Sequence, residues 1–492
     1  MFNVENMKAE VFDEFQPLFF PRTVAVVGAS TKSSALANLF IQRIRKFGFT
    51  GPIYPIHRSA ETIEGLPAFR CFAETPEIID YAYVAVAAAQ VPQLLASANG
   101  HVRFAQVISS GFGESEEGQG LEIELVAAAR ASGVRLLGPN CMGIYTPRGK
   151  ITYTEIASPE IGGVGIVSQS GGLGTDIIRR GLVRGIKFSG LVSIGNSADV
   201  NAVDLLRFYL EDNQTKVIGL YIESSRHGRQ LFDVLRTARA QKPVIILKGG
   251  RTIDGAIAAS SHTGSMAGDD RVWDALAKQT GSILVETLND FINVVLAFSY
   301  MTPRPHKPTQ HVVIFGNGGG ASVLGTDSFS RLGLRVPRFD QKTLDVLGAI
   351  ELSPGTSIAN PIDAPVGTMQ QNDGKVAEQI LDAVFSTADP HALVMHLSMP
   401  AFSGRTKAEI LENLVLAALR SKKRFPKCGH FLLVLRSDGN PEIDLRKRQF
   451  RDQAISLGVP VFDELEDAAK CLAAMRFYEG FVGSRIRQNL PG

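Results

Sequence analysis

Three consecutive blocks of apolar strand and amphipathic helix predict an α/β protein made of doubly wound parallel sheets. Three observations carry this expectation. Each block opens on a continuous apolar run that stops at a glycine-containing turn and passes straight into a helix. The runs are Thr23–Val27 before Gly28-Ala29-Ser30, Gly165–Ser168 before Gln169-Ser170-Gly171-Gly172, and Val312–Phe315 before Gly316-Asn317-Gly318-Gly319-Gly320. Further apolar runs follow at the spacing of βαβ units, and 492 residues suffice for roughly three domains of ~150 residues. The expected boundaries are 15–148, 149–302 and 309–492, with the proline-rich stretch Thr302–Pro308 as the last linker.

In block one the first strand leads into a helix expected over Ala35–Phe47, and further strands are expected at Ile53–Ile56, Tyr83–Val86 and Ala105–Ile108. Gly28 lets the backbone come close to an anion, and the helix start behind it offers unpaired N–H groups. The loops Ser109–Gly113 and Leu137–Gly143 follow strands, at the carboxyl ends where open parallel sheets bind ligands. Gly28-Ala29-Ser30-Thr31-Lys32-Ser33 is not the three-glycine dinucleotide fingerprint. The second strand ends in His57 and Arg58 rather than an acid, so an NAD-dependent dehydrogenase is disfavoured.

Block two repeats the plan. A helix is expected over Thr175–Arg184, followed by strands at Gly190–Asn196, Val217–Glu223 and Pro243–Gly249. The turn at Ser168-Gln169-Ser170-Gly171-Gly172 is a second anion-binding helix start. After the last strand comes Ala258–Gly268, where His262 is expected in a loop of small residues before a helix over Asp269–Thr280. Gly264 and Gly268 allow close approach of a bulky anion, and the neighbouring hydroxyls leave room for it. An imidazole so placed can accept a phosphoryl group and pass it on. Alone, a lone histidine in a Ser/Thr/Gly segment is more often a surface residue in a plain turn. Glu223 closes an apolar strand, where its carboxylate can fix the tautomer of an imidazole and raise its nucleophilicity; the ordinary alternative is a solvated strand-end acid. In block three, strands are expected at Ala392–Leu397 and Phe431–Leu435.

Composition narrows the classes. With 51 Lys+Arg against 49 Asp+Glu, net charge predicts no polyanionic partner such as nucleic acid. The four cysteines, Cys71, Cys141, Cys428 and Cys471, form no CxxC pair, which opposes a zinc site and a disulfide framework and fits a reducing cytoplasm. The polar, acidic stretch Met1–Gln16 is no signal peptide, and no run of about 18 apolar residues predicts a membrane span.

Taken in order, VAVVGAS, ISSGFGES, LLGPNCMG, GIVSQSGGLG, SIGNSADV, VIGLYIES, KPVIILKGGR, AASSHTGSMAG, GNGGGASVLGTD and Asn360-Pro361-Ile362-Asp363 resemble the NDP-forming acyl-CoA synthetases. This is the superfamily of succinyl-CoA synthetase, and the likeness is closest to the α subunits of ADP-forming acetyl-CoA synthetases; it spans Leu18 to about Ala474. The resemblance implies a Rossmann-like CoA-binding domain followed by two flavodoxin-like domains. It implies that Gly28, Ala29 and Ser30, with Ser110-Gly111 and Pro139-Asn140, hold CoA. Ser168, Gln169, Ser170, Gly171 and Gly172, with Gly264, would hold phosphate or acyl phosphate, and Glu223 would pair with a phosphohistidine at His262. The implied reaction is acid + CoA + ATP ⇌ acyl-CoA + ADP + phosphate. No resident metal is expected, and nothing in block three reads as an ATP-grasp fold, so ATP or ADP with Mg2+ is expected on a separate ATP-grasp β subunit in an αβ or α2β2 assembly. The family pattern is broken at His57-Arg58, at Ala88, and at Ser197, where a lysine is usual; an unusual acid substrate is one explanation of the last. A protein acetyltransferase related to these synthetases would need a further domain. The alternative from another class is a catalytically silent CoA or acyl-CoA-binding regulatory protein, which would need neither His262 nor Glu223.

Overall fold

The computed structural model describes residues 4–32, 35–223, 226–263, 270–402 and 405–488. The chain divides into two compact units, one of Met1–Leu182 with Ile186–Thr287, the other of Val183–Gly185 with Leu288–Gly492. Among the described residues no helix is long and apolar enough to cross a membrane.

The first unit holds two sheets. In one, β1 (Val24–Val27), β2 (Ile53–Ile56), β5 (Ile79–Val84), β6 (Val102–Val107) and β7 (Arg135–Leu137) run parallel in the order β2-β1-β5-β6-β7, and a short hairpin of β3 (Thr62–Ile63) and β4 (Leu66–Pro67) sits beyond β2. In the other, β8 (Gly143–Tyr145) is an antiparallel edge on β10 (Phe188–Ser193). Parallel β9 (Val164–Ser168), β11 (Val217–Ile222), β12 (Val244–Lys248) and β13 (Ile283–Val285) complete the order β13-β12-β11-β9-β10-β8. In the second unit β14 (Val312–Gly316), β15 (Ile362–Asp363), β16 (Ala392–Ser398), β17 (His430–Arg436) and β18 (Val461–Phe462) run in the order β15-β14-β16-β17-β18.

Leaving aside the hairpin and the antiparallel edge, all three sheets share one plan. The first strand lies second from one edge, with the second strand outside it and the next three on its other side. Strand order therefore reverses at β1, β9 and β14, and at each reversal the crossovers leave on opposite faces and open a crevice outside the carboxyl ends. The glycine-containing turn of each block follows these first strands. The strands are near-continuous apolar runs because helices cover both faces of each sheet, and β1, β9 and β14 are buried throughout.

A single apolar core joins the two sheets of the first unit, from Val24 and Val26 on β1 to Val167, Val192 and Leu220 on the second sheet. The helix Val4–Phe19 helps to close it, with Phe19 stacked on Phe208 at 3.9 Å between ring centroids. Phe208 lies on the helix Ala202–Glu211, which starts at a capping box made by Asn201 and Asp204. The polar, acidic N-terminal stretch is thus part of a helix, with Phe15, Leu18 and Phe19 buried.

Two sequence expectations need correction. The helix expected over Thr175–Arg184 begins earlier, at Gly171, so the glycines of the turn form its first turn. The segment expected as a loop around His262 is helical up to Thr263: Ile253–Thr263 is one helix and Asp270–Thr280 the next. The alanines at 256, 258 and 259 favour helix strongly enough to carry the backbone through Ser260 and Ser261, residues read from sequence as loop formers.

Candidate functional site

At the first reversal a cleft of about 690 Å³ opens at the carboxyl ends of β1, β2 and β5, lined by Gly28, Ala29, His57, Arg58, Arg70 and Gln93 among others. Gly28 is there for steric reasons. Its φ is +96°, and a Cβ on it would lie 2.1 Å from the Ala85 carbonyl oxygen. Ala29 is buried, and Ser30 is clamped by Asn38 of the helix Leu36–Lys46. The Ser30 N–H donates to Asn38 Oδ1 at 2.7 Å, and Asn38 Nδ2 donates to the Ser30 carbonyl at 2.8 Å. Among the described residues the guanidiniums of Arg58 and Arg70 form no ion pair with a carboxylate, the Arg70 contact to Glu74 being through its backbone N–H, so two guanidiniums line this cleft with charge to offer an anionic ligand.

The loops after β6, β7 and β10 are woven together. The Asn140 N–H donates to the Ser109 carbonyl, the Asn196 N–H to the Pro139 carbonyl and the Ala198 N–H to the Gly138 carbonyl, each at 3.0 Å. Gly195 allows this closeness: its φ is +53°, and a Cβ on it would lie 2.3 Å from the Asn140 carbonyl oxygen. Ser110 is exposed beside Gly111, whose N–H, with that of Phe112, donates to the carboxylate of Glu114. Asn196 Nδ2 donates to Glu114 at 2.6 Å and to Glu122 at 2.8 Å. Burial pushes the Glu114 carboxyl up, but the hydrogen bonds from Asn196 and from these backbone groups outweigh it and hold the carboxyl below its ordinary range.

At the second reversal the turn after β9 joins this network. Ser168 is fully buried and donates to the Ser170 carbonyl at 2.6 Å; Ser170 Oγ accepts from the Leu173 N–H, capping the helix Gly171–Val183. Gly171 has no room for a side chain, since a Cβ would lie 2.4 Å from Met142 Cγ, whereas a Cβ on Gly172 would meet nothing within 4 Å. The N–H groups of this first helical turn have no intrahelical acceptor by geometry. Gln169 Oε1 accepts the Glu223 N–H at 2.8 Å, so the turn and the end of β11 are fixed to each other. Tyr221 donates to Glu223 Oε1 at 2.8 Å, and burial together with that bond pushes its hydroxyl above the ordinary range.

Lys248, at the end of β12, went unassigned from sequence. It is buried, donates to the carbonyls of Glu223 at 2.9 Å and of Gly249, and lies over the Trp273 ring at 5.6 Å. Burial pushes its ammonium below the usual lysine range while the charge of Glu223 pulls it back up. The only signal in the sequence was a lysine ending an apolar strand. Asn38 carried no signal, and Asn196 only its place in the SIGNSADV motif with no role assigned, because their roles depend on partners 8 to 82 positions away.

The structure thus brings Ser110-Gly111, Pro139-Asn140, Ser168–Gly172 and Glu223 into one continuous set of contacts within the first unit, while Gly28–Ser30 sits at the head of the adjoining cleft. The side chain of His262 and the whole of Gly264 lie outside the described residues. Among the described residues no group of three or more His, Cys, Asp or Glu is placed to hold a metal ion.

Residues 22–147 match the model of a CoA binding domain, and residues 161–298 match that of a succinyl-CoA ligase like flavodoxin domain. The α subunit of ADP-forming acetate–CoA ligase II of Pyrococcus furiosus is 31% identical over 461 residues, covering 93% of this chain and 96% of the relative. The α subunit of ligase I of the same organism is 33% identical, covering 94% and 96%. This chain belongs to the ADP-forming acyl-CoA synthetases, as an α subunit. Among solved structures, acetyl-coenzyme A synthetase 1 of Ca. Korarchaeum cryptofilum, in complex with phosphate and ADP, superposes with a TM-score of 0.83 at 28% identity, covering 97% of this chain and 99% of that one. Family membership makes the protein an acid–thiol ligase with a CoA-binding domain and two flavodoxin-like domains, and α subunits of this family work with a partner subunit.

Proposed function

We propose that the first unit forms acyl-CoA by a phosphoryl relay on His262. ATP on an ATP-grasp β subunit, with its Mg2+, gives its γ-phosphoryl to a His262 ring nitrogen and leaves as ADP. A carboxylate oxygen of the acid attacks that phosphorus, the N–P bond breaks, and acyl phosphate forms with histidine restored. The CoA sulfur, deprotonated, attacks the acyl carbon; the C–O bond to phosphate breaks, and acyl-CoA and phosphate leave. Each step is reversible, because a phosphoramidate and an acyl phosphate both hold the phosphoryl at a transfer potential near that of ATP.

CoA lies in the cleft at Gly28, Ala29 and Ser30, with Arg58 and Arg70 toward its phosphates, and reaches past Ser110-Gly111 and Pro139-Asn140 to the second sheet. The helix start at Gly171-Gly172, with Ser168, Gln169, Ser170 and Gly264, receives the phosphoryl, whose equatorial charge is met by N–H groups already in position. Glu223, oriented by Tyr221, takes the other imidazole N–H of His262. The observation that carries this reading is the Gln169 to Glu223 hydrogen bond, which fixes the phosphate turn and the proposed histidine partner to one another. A cytoplasmic αβ or α2β2 assembly is the proposed working form.

The test is incubation with γ-labelled ATP, CoA and a panel of acids, with the partner subunit, then acid and alkali treatment of the α chain. Acid-labile, alkali-stable label, lost in His262→Ala, together with CoA-dependent release of ADP, is the expected result. CoA binding without label in the wild-type pair would favour the regulatory alternative.

A further inference from the structure

The relay leaves one buried charge unused. Lys248 ends β12, is 7% exposed, and meets three separate pieces of chain. Its Nζ donates to the Glu223 carbonyl at 2.9 Å and to the Gly249 carbonyl, and it lies 5.6 Å from the centroid of the Trp273 ring. Glu223 follows β11. Gly249 starts the connection into the helix Ile253–Thr263, which carries His262, and Trp273 sits on the helix Asp270–Thr280, by which the chain returns. One ammonium therefore touches the residue proposed to hold the imidazole and the chain that enters and leaves the imidazole's own segment.

An apolar side chain is the ordinary choice for the buried end of an apolar strand. Burial disfavours the charged form and holds this ammonium below the usual lysine range, with the charge of Glu223 opposing the shift. A buried cation persists where its N–H groups are met, and here two carbonyls and a ring face meet it. What the arrangement achieves is visible at Glu223. Its N–H is taken by Gln169 at 2.8 Å, its carbonyl by Lys248 and its Oε1 by Tyr221 at 2.8 Å, so the residue is fixed at three points. Lys248 extends that grip to the chain on either side of His262. Arg251 pairs with Asp270 and, at 3.0 Å, with Asp274, which closes the base of the same segment independently. Loss of the lysine thus leaves the segment tethered and frees the register between it and Glu223. We propose that Lys248 is a positioning residue for phosphoryl transfer: its ammonium holds the backbone of Glu223 in register with the segment that carries His262, so that carboxylate and imidazole meet in one geometry. The proposal rests on the relay described above and names the group that aligns it.

Lys248→Met keeps the length and the burial but removes the charge and the donors. His262 labelling from γ-labelled ATP, with the partner subunit and without acid or CoA, is followed by rapid quench. The maximal rate should fall by about 10-fold to 100-fold, the loss that a displacement of up to about 1 Å brings, while half-saturating ATP and the calorimetric CoA affinity stay within threefold of wild type. A merely structural role would lower CoA affinity together with labelling. That result overturns the proposal, as does labelling at the wild-type rate. Trp273 is the single tryptophan of the chain, so its emission gives a second readout that needs no variant to fold. On titration from neutral to alkaline pH the emission should change in a step below the usual lysine range, as the charge over the ring is lost; Glu223, Arg251 and Asp270 are the charged groups that bear on it. No such step in the wild type, or the same step in Lys248→Met, also overturns the proposal. A wild type that takes up no label would sink the relay and this role with it, whereas a labelled wild type matched by Lys248→Met leaves the relay standing without this residue.

Discussion

Gly195→Ala places one methyl group where three loops of the site converge. The new Cβ would lie 2.3 Å from the Asn140 carbonyl oxygen and 2.4 Å from that of Pro139, and real Cβ atoms essentially never come within 3.0 Å. The Pro139-Asn140 turn and the Gly195-Asn196 loop must therefore separate by at least 0.7 Å, which is 3.0 less 2.3. A non-glycine residue held at φ +53° costs about 1–2 kcal/mol, and stretching the two hydrogen bonds from Asn196 and Ala198 into the 138–139 carbonyls costs about 1 kcal/mol each, so the variant loses about 3–4 kcal/mol of stability. The catalytic loss is larger in proportion, because a displacement near 1 Å between reacting groups lowers a rate about 100-fold. Acyl-CoA formation with the partner subunit should fall by about that factor in kcat while the denaturant midpoint shifts modestly. Gly120→Ala is the control: it sits in the helix Gln119–Ala131, a Cβ there meets nothing within 4 Å, and it should stabilise by about 0.5–1 kcal/mol with activity unchanged. Gly195→Ala with a kcat within threefold of wild type would refute the view that these loops are held in register for transfer.

Glu223→Gln keeps the shape of the side chain but removes its charge, and should cut steady-state labelling of His262 by about 100-fold or more in rapid-quench experiments, with CoA affinity unchanged. Arg58→Ala and Arg70→Ala should each weaken CoA by about 10-fold to 100-fold in calorimetric titration, since each removes a charge-assisted contact of about 1.5–3 kcal/mol; parity with wild type would place CoA elsewhere. In the second unit, burial and then the charge of Arg436 push the His396 imidazole down to about 4 from 6.5. The unfolded chain takes up its proton below 6.5 and the folded unit only near 4, so stability is lost as pH falls across that window, by about 3 kcal/mol from this group. His396→Gln should flatten the urea-unfolding profile between those pH values, and an unchanged slope would count against it.

The first strand of each block, its glycine turn and the helix after it were legible because burial on both faces forces an unbroken apolar run, and the chain can leave such a strand tightly only through small residues. The edge strands Arg135–Leu137, Gly143–Tyr145, Ile283–Val285 and Val461–Phe462 were not, since two or three residues carry no periodicity and only pairing with a neighbour defines them. The N-terminal helix was missed because Pro17 sits inside it and the acids Glu10, Asp13 and Glu14 precede the buried Phe15, Leu18 and Phe19, which hides its apolar side. In the site, Gly28 and Gly171 announced close backbone approach by being glycine. Asn38, Asn196 and Lys248 act through partners on other elements, and no local pattern marks a side chain whose role is to bridge.

Glu114 has a consequence for selectivity. The amides of Gly111 and Phe112 are already occupied by a carboxylate from the same loop, tethered three and two residues away. A free anion such as inorganic phosphate must compete with an intramolecular rival at high effective concentration, and so gains little by binding there alone. A ligand that brings other contacts can afford the exchange. The loop is thereby closed to stray anions and opens only to a molecule that is also held elsewhere.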